Sequence, residues 1–184
     1  MMKKLLRLAA AAATASLLLP VAAQAQKVSY DFDKTADFAK FKTFALRDGT
    51  KSGNPLVDGR ITAALEAALA TKGLKRNDTS PDVYVVTHLT FETKKDITTF
   101  STGPAYGAYG WRWGGGWGTT DVRVNDILVG TLVIDLADAS KQELVWRGIG
   151  VKEVDPQPKP EKVDKNVKGA VAKILKNYPP KKKK

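Results

Sequence analysis

The stretch that most restricts the fold runs from residue 125 to residue 154, where NDILVGTLVIDLADA passes through the turn-forming DASK into QELVWRGIGVKEV. Leu128, Leu132, Ile134 and Leu136 fall on one face of an extended chain, the two-residue period of a strand. Strands joined by so short a turn must run antiparallel, because a parallel return needs a long crossover. PDVYVVTHLTFET, upstream, has the same period: Val83, Val85, Leu89 and Phe91 on one face, Tyr84, Val86 and His88 on the other. The three segments form an antiparallel meander. Gly130, Gly148 and Gly150, inside strand patterns, predict bulges or close backbone approach.

What flanks the meander fixes the fold class. KVSYDFD and FKTFAL alternate as two early strands. NPLVDGRITAALEAALATKGL then changes period, with Val57, Ile61, Leu65 and Leu69 spaced by four and Ala64 and Ala68 widening the stripe. Asp58 or Asn54 can cap this helix, and Gly73 followed by Leu74 predicts a Schellman-type stop. After DPQPKPEK, an extended connector by its alternate prolines, EKVDKNVKGAVAKILKNY places Val163, Val167, Val171, Ile174, Leu175 and Tyr178 at helical spacing until Pro179 and Pro180 end it. The order ββαβββα predicts the α+β class: a two-layer fold with an antiparallel sheet of about five strands and two helices on one face. There is no internal repeat.

Charge and leader set the expected compartment. Residues 1–25 have a basic start at Lys3, Lys4 and Arg7, an apolar run broken at Pro20, and small residues at Ala23 and Ala25. That is the layout of a secretory signal cleaved after Ala25. The expected organisation is a signal over 1–25, a single domain over 26–178 and a Pro/Lys tail over 179–184. No further stretch suits a transmembrane helix. The chain has no cysteine, which excludes disulfides, thiolate metal sites and a lipidated N-terminal cysteine. The expected location is the periplasm, peripheral to the outer membrane. The net charge of +11 is uneven: residues 26–150 hold 16 Lys or Arg against 15 Asp or Glu, whereas residues 151–184 hold 11 Lys against 4 acids. Export removes nucleic acid from the candidate partners of that basic end.

YDFDKTADFAKFKTFAL, the helix ending in KG, SPDVYVVTH, the Gly-aromatic run and VGTLVIDLADASKQELVWRG together resemble the bacterial envelope family catalogued as a domain of unknown function, DUF4136. The resemblance covers residues 27–178 and implies a small α+β envelope domain, commonly a lipoprotein. This chain departs from that pattern in having no cysteine to lipidate. The family supplies no activity and no catalytic residues to carry over.

The residues themselves offer little catalytic chemistry. His88 is the only histidine, too few with no cysteine to build the usual zinc or facial-triad sites. Asp31 and Asp33 share a strand face but lack the further oxygen ligands of a calcium loop. Asp135 interrupts an apolar strand, and Arg147 on the neighbouring strand is its expected partner in a structural pair. Gly114, Gly115, Gly116 and Gly118 match neither the P-loop nor the dinucleotide fingerprint. No metal or cofactor is expected.

Binding is the better reading. GPAYGAYGWRWGGGWGTT, residues 103–120, lies between ITTFST and TDVRVN and reads as a hairpin tip, flexible over 103–118. Its Tyr106, Tyr109, Trp111, Trp113 and Trp117 carry on the order of 1,000 Å² of ring surface, against about 300–600 Å² for the largest apolar patch of an ordinary monomer. Folding back onto its own sheet or contacting a partner would each cover them. Trp111 and Trp113 flank Arg112, so in an extended chain both indoles point one way and the guanidinium the other. Lys168, Lys173, Lys176, Lys181, Lys182, Lys183 and Lys184 are candidates for electrostatic contact with an anionic surface. The expected function is a non-enzymatic envelope protein binding glycan, anionic lipid or lipopolysaccharide, or an envelope protein. The alternative is a periplasmic hydrolase using Asp and His88.

Overall fold

The computed structural model describes residues 26–101 and 120–181. The leader, the predicted tip and Lys182, Lys183 and Lys184 lie outside them. The elements follow as β1 (Lys27–Phe32), β2 (Thr43–Arg47), α1 (Pro55–Thr71), β3 (Lys75–Arg76), β4 (Val83–Ser101), β5 (Thr120–Asp138), β6 (Glu143–Val154) and α2 (Pro160–Ile174), the last closed by a short 3-10 turn, Leu175–Asn177. Spatially the sheet runs β1-β6-β5-β4-β2-β3. The fold is α+β and two-layered, with the β4-β5-β6 meander antiparallel at its centre.

The sheet is mixed. β2 lies parallel to β4 and to the two-residue β3, because α1 carries the chain back across the sheet between them. β1 and β2, neighbours in sequence, sit on opposite flanks of the meander. The ten-residue link 33–42 spans four strand spacings, about 19 Å at ~4.8 Å each. Phe38, in that link, packs edge-on against Phe41 and Tyr178, and Tyr178 in turn against Trp146. The crossing is thus held by rings rather than by a ladder. Asp82 fixes the start of β2, its carboxylate accepting the backbone N–H groups of Lys42 and Thr43 and the Thr43 hydroxyl at 2.8–2.9 Å. These bonds hold its pKa below the usual carboxylate value.

Both helices pack on the face that carries Val83, Val85, Leu132, Ile134, Leu136 and Trp146. α1 contributes Ile61, Leu65 and Leu69, and α2 contributes Val171 and Ile174. Asn54 caps α1 by accepting the Leu56 N–H at 3.0 Å, while Asp58 accepts from Ser52 instead. The stop is a Schellman motif: Gly73 at φ +86° donates to Ala70, and Leu74 donates to Leu69 and is buried. Gly148 and Gly150 permit close approach: a Cβ at Gly150 would lie 2.8 Å from Ile174 Cδ1, and one at Gly148 would overlap Trp146 and Ile174. The irregularity in the ladder falls elsewhere, at Leu136/Ala137. Asp138 shapes the following turn by accepting from Ser140 and Lys141.

β4 and β5 are each nineteen residues long and remain in register throughout. β6 pairs with β5 only as far as Leu128, and β2 with β4 only over Phe44–Arg47 and Val83–Val86. Lys94–Ser101 and Thr120–Ile127 therefore form a two-stranded arm, with no third strand among the described residues, about 27 Å long at ~3.4 Å per residue. Among the described residues no helix is long and apolar enough to cross a membrane.

Candidate functional site

The face opposite the helices carries the polar constellation. Register aligns Asp31, Arg147, Asp135, Val86 and Arg47 in one row across β1, β6, β5, β4 and β2. Asp135, at 6% exposure, is the one charged residue buried among those described. Arg147 closes on it with both prongs of the guanidinium, Nε to Oδ1 at 2.7 Å and an Nη to Oδ2 at 2.6 Å. Such a fork satisfies both carboxylate oxygens, and the bond with Asp135 raises the Arg147 pKa above its ordinary value. The structure thus brings these two residues together. Asp31 bonds the backbone N–H of Phe32, and Asp33 lies beyond the strand in a turn with Thr35.

His88, two residues further along β4 on the same face, reaches the other side of this carboxylate. Its Nε2 is 3.9 Å from Asp135 Oδ2, beyond hydrogen-bond range. Its Nδ1 receives the Thr50 backbone N–H at 3.2 Å and lies 3.0 Å from the Thr50 hydroxyl oxygen. Accepting the backbone N–H requires an unprotonated Nδ1, which leaves the proton of the neutral ring on Nε2, toward Asp135. Thr50 belongs to the segment after β2, held on β4 by Leu89 donating to the Thr50 carbonyl. Gly49 makes this approach possible, since a Cβ there would overlap the Thr87 carbonyl. Sequence reading did not find Thr50, because 38 residues separate it from His88.

Of the lysine candidates, Lys168, Lys173, Lys176 and Lys181 are all exposed. Lys168 pairs with Asp164 one helical turn earlier, at 2.8 Å. Tyr106, Tyr109, Trp111, Arg112, Trp113 and Trp117 lie outside the described residues, on the covalent link between Ser101 and Thr120. The remaining tryptophan, Trp146, is wholly buried in the core, its indole N–H without a hydrogen-bond partner among the described residues. No group of three or more histidines and carboxylates suited to a metal occurs among those residues.

Comparison with solved structures finds similarity at low identity, and the fold is shared with the first of them. A PDZ domain protein from Parabacteroides distasonis superposes with a TM-score of 0.56 at 17% identity, over 86% of this chain and 37% of that one, so the chain spans little more than a third of that protein's length. A PelC dodecamer from Paraburkholderia phytofirmans gives 0.49 at 11% identity, covering 82% and 95% of the two chains. A hemagglutinin homolog from Helicobacter pylori gives 0.41 at 11% identity, covering 78% and 86%. No curated protein matches the chain. The family described as a domain of unknown function, DUF4136, matches residues 28–180, from β1 to just past the terminal turn, and the chain belongs to that family.

Proposed function

We propose that this protein is a non-catalytic binding module of the bacterial envelope, exported by its leader, which contacts an envelope component through the Gly-aromatic segment and the basic C-terminal region. The observation that carries this reading is the arm. Eight residue pairs extend past every other strand, and the chain enters and leaves the ring-rich segment at their far end. Of the described side chains of the arm, Lys94–Asp96 and Arg123–Asp126 are exposed and Ile127 is half-buried. A two-stranded ribbon in water is marginal, so its length has a rationale if it holds a binding segment clear of the body. Tyr and Trp beside Arg suit sugar rings, a lipid interface or a protein hot spot.

Co-sedimentation with peptidoglycan sacculi and with vesicles of phosphatidylglycerol and phosphatidylethanolamine tests this. Binding that is lost in Trp111→Ala/Trp113→Ala and retained in His88→Ala supports it. Absence of binding to both materials removes the glycan and lipid components and leaves a protein one, which capture from a crude envelope fraction by the intact chain and not by a chain lacking residues 103–118 would show; no capture removes the proposal.

A second reading, hydrolysis, is favoured by the approach of Thr50, His88 and Asp135. Against it, both Asp135 oxygens are engaged by Arg147. Turnover of a p-nitrophenyl ester that His88→Ala abolishes would establish it over the first.

A further inference from the structure

The inner layer contains a groove separate from the arm tip and from the Asp135 row. It opens between the N-terminal halves of α1 and α2, over the sheet at the root of the arm, and has a volume of about 330 Å³. That lies at the lower end of the range of small-molecule sites, about 300–1,000 Å³. The apolar stripe of α2 explains why it is open. Val171 and Ile174 are fully buried, but Val163 and Val167 on the same stripe are only half-buried and line the groove. Gly130 lowers the floor, where a Cβ would sit 3.3 Å from the Phe91 ring and 3.4 Å from Val154. Phe91, in the wall, is 46% exposed, an unusual state for a ring beside an apolar cavity.

One charge in that wall is incompletely satisfied. Lys152 takes an inward position on β6, directly opposite Gly130 on β5, and is half-buried. Its ammonium donates at 2.8 Å to Asn166 Oδ1, a neutral acceptor, and no carboxylate pairs with it among the described residues. An ammonium has three donors, and a partly buried one is best matched by an anion. The other charged lining residue, Asp155, is occupied by the Lys162 ammonium at 2.9 Å and the Gln157 N–H at 3.0 Å. Ser52 and Asn54 are likewise engaged, with each other and with the start of α1. The groove is therefore apolar with one uncompensated positive charge.

We propose that this groove binds a single-chain amphiphile with a carboxylate head, of the fatty-acid type, the alkyl chain lying against Val163, Val167 and Phe91 and the carboxylate on the Lys152 ammonium. The proposal does not depend on the arm's role. A neutral apolar ligand would leave Lys152 without an anion, and a cationic one would be repelled by it. A phospholipid with two chains exceeds the volume.

The test is displacement of cis-parinaric acid, a fluorescent unlabelled fatty acid, from the purified protein by dodecanoate, dodecanol and dodecyltrimethylammonium. The expected result is displacement by dodecanoate at least about tenfold more effective than by either competitor. Lys152→Met should reduce the dodecanoate preference by about tenfold while dodecanol changes by less than about twofold. Ala170→Phe, which fills the groove, should abolish probe binding at an unchanged melting temperature. If that variant is destabilised, the Lys152→Met selectivity decides instead. Failure of the probe to bind, equal displacement by all three amphiphiles, or an unaltered preference in Lys152→Met overturns the proposal.

Discussion

The Asp135 carboxylate illustrates how one residue's environment sets its role. It sits on the face away from the core yet is almost without solvent, and Arg147 satisfies both of its oxygens although that side chain is 46% exposed. Removing one partner of such a pair leaves the other with a neutral acceptor, and the half-exposure of Arg147 moderates the cost. Asp135→Asn is expected to lower unfolding free energy by about 1–2 kcal/mol, measured by urea denaturation. Unchanged stability with loss of a binding activity would make the residue functional rather than structural. Two glycines should respond with opposite sign. Gly49→Ala forces a Cβ into the Thr87 carbonyl and should cost about 1–3 kcal/mol while freeing Thr50 from His88. Gly169→Ala, inside α2 with nothing within 4 Å of the added Cβ, should stabilise by about 0.5–1 kcal/mol. Tyr178 gives the chain an alkaline limit. Burial raises its pKa from 10.0 to about 12, so the folded state keeps a proton that the unfolded chain releases. Its contribution is intact below pH 10 and declines as pH rises to 12, by about 3 kcal/mol in all. Tyr178→Phe should flatten the stability curve in that window.

At the scale of elements, the long hairpin divides into two parts with different stabilities. Val83–Leu89 pair across β5 and bury Val83 and Val85 in the core, whereas Lys94–Ser101 have only the facing strand. Pairing with a single neighbouring strand places the arm at the low-stability end of the structure. Replacing residues 95–126 by Asn-Gly, which joins the register pair Lys94 and Ile127, should leave the melting temperature within about 5 °C of the parent. It should also abolish sedimentation with whichever envelope material the intact chain binds. A collapse of the fold would show that the arm supports the body instead. α2 presents the complementary case of one helix whose apolar stripe is buried at its C-terminal end and lines the groove at its N-terminal end. The same sequence period therefore serves the core in one half of the helix and a candidate ligand in the other.

Over the whole molecule, the excess of 11 Lys over 4 acids in residues 151–184 is separated from a nearly neutral body. Exposed charges act through a screened potential, with a Debye length of about 10 Å at 0.1 M salt. Binding to anionic vesicles should weaken steeply between low and high salt, and deletion of Lys181–Lys184 should reduce it further. A salt-independent affinity would assign the contact to the rings alone. The α+β class, the meander, both helices and the Schellman stop at Gly73 were legible because each rests on local spacing: period two, period four, and a glycine followed by an apolar residue. The Asp135 and Arg147 juxtaposition was legible because a short turn fixes which residues face each other on consecutive strands. The sequence alone therefore determined the kinds of elements, most of their order and the uneven charge, all properties of neighbours along the chain. Tertiary structure alone decided that β1 and β2 part to opposite flanks, that β2 joins in parallel, that Thr50 meets His88, and that Val163, Val167 and Lys152 enclose a groove. Each of these depends on which distant surfaces pack together, and the energy that selects them comes from burial shared across the whole core.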